Sequence, residues 1–180
     1  WFAMVYSYYG IFIWLPSLLV AQGFGLVKSF QYTLVITAAQ VPGYFSAAWL
    51  VDRLGRKPTL ALYMLGCAVS AFAFGGATGP APILFWGCLI SFFNLGAWGV
   101  VYTYTPENYP TALRGTGAGW AAGVGRVGGI LAPLVVGRLL ALTPGRQDLI
   151  FAQFAAVVLV GLAVVVLLGE ETKGTSLETV

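Results

Sequence analysis

In a chain of 180 residues, 59% are hydrophobic and only 8% charged, with a mean hydropathy of +0.86; that is about a third of the charge of a soluble domain, and a water-soluble fold of this size could not hide so much apolar surface. The net charge of +3 and pI near 9.0 would suggest nucleic acid in a soluble protein. Here the basic residues gather in loops rather than in a stripe across a polar surface, which excludes nucleic acid as a partner.

With no His, and with Cys67 and Cys88 both inside apolar runs, no metal site, Cys–His chemistry or disulfide framework is expected. No nucleophile, acid and base recur together, so neither an enzyme nor a cofactor is expected. The chain opens in an apolar run at Trp1, without a basic leader, cleavage site or initiating Met, which points to a start inside a longer protein.

About 20 largely apolar residues cross about 30 Å of hydrocarbon. Six stretches meet that length: residues 1–21, 30–51, 59–77, 83–104, 115–140 and 149–169, followed by a polar tail, 170–180. The runs are continuous rather than alternating, which excludes a β-barrel. The fold class is therefore all-α, a polytopic protein of the lipid bilayer. Six spans place both ends on one side, and the loop charges choose it. Arg53, Arg56, Lys57, Arg114 and Lys173 fall on one side, and Lys28, Arg138 and Arg146 on the other. This predicts that loops 52–58 and 105–115 and the C-terminus are cytoplasmic.

In the first span Tyr6 and Tyr9 share a face; Tyr6 is set aside as an interfacial belt residue and Tyr9 is kept as a wall candidate. Pro16 lies further along. In the second span Gln40 adds an amide near Pro42. The fourth carries Asn94, Trp98 and Thr105 at spacings of four and seven, with Tyr102 beside them. Aromatic walls with a few directed polar groups suit a cavity for a planar organic molecule. Tyr104, near the span end, is set aside as Tyr6 is.

The fifth span holds Arg126, about 11 residues in, or roughly 16 Å from the start and near the midplane. An Arg there must face a bundle interior or a water-filled cavity, where it could bind a substrate carboxylate bidentately. Gly115, Gly119, Ala122, Gly123 and Gly129 share its face at helical spacing, which predicts that a neighbouring helix approaches closely there. Pro16, Pro42 and Pro133 lie within spans and are expected to kink or interrupt their helices.

The densest charge is the loop Asp52-Arg53-Leu54-Gly55-Arg56-Lys57-Pro58. With Ala48 to Val51 before it, it resembles the signature loop of the major facilitator superfamily, a glycine, three residues, Asp-Arg, one residue and Gly-Arg-Lys. Ala48 stands where the pattern has its leading glycine. Pro106-Glu107 through Pro110 to Arg114-Gly115 resembles that family's loop between spans ten and eleven. Glu171-Thr172-Lys173-Gly174 through Leu177-Glu178 resembles the segment after span twelve in sugar-porter-like members. Around Arg114 to Pro133 the wording is similar to the branch holding bacterial nicotinate transporters and synaptic-vesicle-type carriers.

This resemblance implies the C-terminal six-helix half of a twelve-span secondary transporter, probed from both sides of the membrane by alternating access. It also implies a missing N-terminal half and a charge network that breaks on opening, here Asp52, Arg53, Arg56, Glu107, Arg114, Glu170 and Glu171. No Asp or Glu lies mid-span, so a coupling proton would need an acid from the missing half. The expected substrate is a small organic or aromatic carboxylate. A sugar porter and a non-transporting six-span interaction protein are the alternatives; a channel is disfavoured by the absence of a charge ring or filter-like loop.

Overall fold

The computed structural model describes residues 1–174; Leu177 and Glu178 of the last resemblance lie outside them. Seven α-helices follow in order: α1 Phe2–Ala21, α2 Leu26–Ala38, α3 Gln40–Leu54, α4 Arg56–Gly75, α5 Pro80–Glu107, α6 Arg114–Leu142 and α7 Gln147–Leu168, with a short 3-10 turn, Thr111–Leu113, before α6. There is no strand among the described residues. Taken together, α2 and α3 form the second of six helices long and apolar enough to cross a membrane. The α2–α3 pair, α5 and α6 overrun their apolar stretches at both ends, and α4 and α7 at the start only. Helical backbone bonding there takes in the charged residues Arg53, Arg56 and Glu107.

Of the three mid-span prolines, only Pro42 coincides with a break. Its missing N–H leaves the Ala38 carbonyl without a helical donor, and the helix lapses at Ala39. Gly43 follows at once, so two poor helix formers fall in one turn. Pro16 and Pro133 sit inside continuous helices. Between α3 and α4 the whole connection is Gly55, at φ +102°. Only glycine takes that conformation readily.

In the packing, α4 lies against α5 and α7, α1 against α6 and α7, and α3 against α5. Tyr63, Phe74, Phe151 and Phe154 fill the interior. The α3–α5 crossing is as close as backbone allows, because a Cβ on Gly43 would stand 2.3 Å from the Phe92 carbonyl oxygen. That oxygen is held in its helix and cannot turn aside. Gly43→Ala is therefore expected to destabilise the purified protein by about 1–3 kcal/mol, read as a lower Tm. An unchanged Tm would show that the two helices part freely at this point.

Candidate functional site

Four helices bring an aromatic wall and one cation together. On α1, Tyr8 meets Tyr9 edge-on with ring centroids 5.6 Å apart, and packs on Phe12 at 5.0 Å. On α5, Trp98 and Tyr102 stack one turn apart at 5.4 Å. Trp1 stands edge-on to both, at 5.5 and 5.0 Å, and its Nε1 donates to Thr105 Oγ1 at 2.7 Å. Tyr8 closes the row against Trp98 at 6.2 Å. These are the offset and edge-to-face geometries that aromatic quadrupoles favour. From α3, the Tyr44 ring lies against Gly99, where a Cβ would be 3.1 Å from it.

Arg126 on α6 completes the wall, its Nη1 donating to the Tyr9 hydroxyl at 2.9 Å. At 1.5 Å per residue from the charged ends of α3, α5 and α6, Tyr44, Trp98 and Arg126 lie about 15, 14 and 18 Å in. They share one depth.

The side of α6 that packs is only in part the expected one, with Gly129 the one glycine of the expected face in contact. Gly125, Gly128 and Gly129 meet α1, where added Cβ atoms would lie 3.1, 2.7 and 3.1 Å from Trp1, Phe2 and Val5, and fully buried Ala132 continues the same stripe. Gly115, Gly119 and Gly123 have nothing within 4 Å of such a Cβ. A helical step of about 100° from Gly125 turns Arg126 off the packed stripe, and it is exposed on the flank of the six-helix unit. Among the described residues no carboxylate forms an ion pair with it.

The other expected wall residues divide. Trp98 is on the wall, with its Nε1 buried and unpartnered among the described residues. Gln40, one turn from Tyr44, lines a groove of about 470 Å³ between the α2–α3 break and Leu95 of α5. Asn94 is elsewhere. It is 0% exposed and turned into the α1–α4–α5 packing, where Nδ2 donates to Ser7 Oγ at 3.0 Å and reaches Cys67 Sγ at 3.5 Å. Residues not singled out from sequence, Trp1, Tyr8, Phe12 and Tyr44, form much of the surface. The first three follow spacings of seven and four, a signal that was there to be counted. A cavity of about 630 Å³ is lined by Trp1 and Thr105 together with Met64, Tyr104 and Val164.

At the charged end the predicted network is a clamp within this unit. Arg56 holds Glu107 bidentately, with Nε and Nη2 each 2.9 Å from a carboxylate oxygen, and Thr172 donates to the same carboxylate. The Glu171 carboxylate takes the backbone N–H groups of Arg56 at 2.9 Å and Lys57 at 3.0 Å. It thereby sits at the start of α4, where unsatisfied donors and the helix dipole favour an anion. Lys173 Nζ donates to the Arg53 carbonyl at 2.6 Å, and the Tyr104 hydroxyl to that of Glu170 at 2.5 Å. The segment after α7 thus straps the α3–α4 joint to the end of α5.

The remaining members of the expected network lie around this clamp, with Asp52 within electrostatic reach of Arg56 and Arg114 within reach of Glu107. Arg53 lies over the Trp49 ring at 4.3 Å, a cation–π contact. Arg114 donates to the Tyr109 carbonyl at 3.2 Å. Glu170 takes part through its backbone. Asp52 is exposed.

The profile of the family described as "Sugar (and other) transporter" matches residues 3–180. The niacin transporter of Acinetobacter baylyi is 58% identical over 180 residues, covering 100% of this chain and 41% of its own length. A putative niacin/nicotinamide transporter of Bacillus subtilis is 52% identical, covering 99% and 44%. The 3-(3-hydroxy-phenyl)propionate transporter of Escherichia coli is 31% identical, covering 92% and 41%. The chain spans less than half the length of these curated relatives.

Proposed function

We propose that this chain, which belongs to the sugar (and other) transporter family within the major facilitator superfamily, forms the C-terminal half of a carrier that moves an aromatic carboxylate by alternating access. The observation that carries the reading is Arg126, held by Tyr9 beside the aromatic wall and without an acidic partner among the described residues. A guanidinium at this depth calls for an anion, and a planar ring beside the carboxylate suits the wall. Niacin and hydroxyphenylpropionate, in the names of the relatives, are solutes of that kind. A sugar has no use for the cation.

The other half supplies the facing wall. It would cover the open stripe of Gly115, Gly119 and Gly123 on α6 and exposed Val41 and Phe45 on α3, while the Val- and Leu-rich outer face of α7 meets lipid. The coupling proton also depends on that half, since this chain has no mid-span acid. In this reading the carrier sits in the plasma membrane with the clamp and the C-terminus cytoplasmic, as the loop charges direct.

The test is a ligand panel against the full-length carrier in detergent, with nicotinate, benzoate and glucose read by thermal shift. Stabilisation by the acids and not by glucose is expected, because only a bound solute raises the Tm by mass action. Stabilisation by glucose alone would transfer the assignment to sugar transport.

A further inference from the structure

The tyrosine hydroxyls of this chain are either bonded to another residue or, at Tyr8, Tyr32, Tyr44, Tyr102 and Tyr109, without a hydrogen-bond partner among the described residues, and of these five only Tyr44 and Tyr102 are exposed. Tyr6, Tyr63 and Tyr104 are buried, and each hydroxyl is bonded to another segment: Gln153 at 2.7 Å, Ser46 at 2.6 Å and the Glu170 carbonyl at 2.5 Å. Tyr9 is bonded to Arg126. Tyr44 and Tyr102 differ. They come from α3 and α5, lie within electrostatic reach of one another, and are 41% and 53% exposed. Neither hydroxyl has a hydrogen-bond partner among the described residues.

Their rings are nonetheless fixed. Tyr102 is stacked on Trp98 and edge-on to Trp1, and Tyr44 lies against Gly99, three residues from Tyr102 on α5. Two packed rings with unbonded phenol groups therefore stand at the α3–α5 end of a wall whose α6 end is Arg126. At membrane depth a hydroxyl without a protein partner must find water or a solute. Tyr8, edge-on to both Tyr9 and Trp98, joins the two ends.

We infer that Tyr44 and Tyr102 recognise a second hydrogen-bonding group on the solute, so that the carrier selects aromatic acids with a ring nitrogen or hydroxyl away from the carboxylate. This rests on the proposed carboxylate site at Arg126 and adds a polar reader at the other end. A phenol O–H donates to a pyridine nitrogen and can either donate to or accept from a ring hydroxyl. An unsubstituted ring would leave both phenols unpaired, and sites built to hydrogen-bond a group discriminate against analogues that lack it.

The experiment compares nicotinate with benzoate on the full-length carrier, using Tyr44→Phe, Tyr102→Phe and their double variant, which keep the rings and remove only the hydroxyls. The nicotinate Kd is expected to rise about three- to tenfold, and its ratio to the benzoate Kd to approach one. An equal loss for both acids, or no loss for nicotinate, would overturn the inference. So would a lower Tm of the unliganded variants with unchanged nicotinate affinity, since the hydroxyls would then be bonding the other half of the carrier. Arg126→Ala in parallel separates the two claims. If it weakens both acids while the Phe variants change nothing, the carboxylate site stands and the phenol reader falls.

Discussion

Arg126→Ala in the full-length carrier is expected to raise the nicotinate Kd about 10- to 100-fold, because hydrogen bonds between charged groups contribute about 1.5–3 kcal/mol in sites of this kind. Arg126→Lys should recover only part of that loss: it keeps the charge but has no planar fork to hold both carboxylate oxygens. Tyr9→Phe should fall between the wild type and Lys, since it removes the 2.9 Å hydrogen bond that orients the guanidinium and leaves the cation in place. The order of the three variants is the informative result. If Lys equals Arg, the site needs only a positive potential. If Ala binds nicotinate normally, the cation belongs to the contact between halves, where the neighbouring glycine stripe already lies open.

Sequence reasoning was strongest where a single physical constraint dominates. Six spans follow from the length of hydrocarbon to be crossed, and all six are present as helices, one of them in two pieces. It was weaker where the question was which neighbour a face meets. Arg126 and its glycines share a helical face, yet of those glycines only Gly129 joins the packed stripe, which runs on through Gly125 and Gly128. Both stripes are rich in small residues, so composition could not separate them; the position of α1 does. Asn94 shows the same limit. Its spacing with Trp98 is that of one helical face, but a few tens of degrees decide between an open wall and the Ser7–Cys67 interior. Tyr44 depends on a crossing of α3 and α5 that no local pattern encodes.

The charged end gives the second large effect, and it divides one expected network into two roles. Arg56, Glu107, Glu171 and Thr172 join the start of α4, the end of α5 and the segment after α7 by hydrogen bonds. The Arg56 and Glu107 side chains are only 22% and 15% exposed, so removing one partner leaves a poorly solvated charge. Glu107→Gln is accordingly expected to destabilise the carrier by about 1–3 kcal/mol, seen as a lower Tm, and Arg56→Gln added to it should cost less than the sum of the two. Strict additivity would show that the pair does not interact in solution. Exposed Asp52 should behave in the opposite way. Asp52→Asn is expected to leave the Tm nearly unchanged and to alter labelling of cysteines engineered at the charged end, because an exposed carboxylate that acts on Arg56 only through its field adds little stability and can exchange that interaction for one with the other half in one of the two transport states. A difference of about 1 kcal/mol between those states would change their ratio about fivefold. Were Glu107→Gln to shift labelling without lowering the Tm, the clamp rather than Asp52 would be what opens during transport.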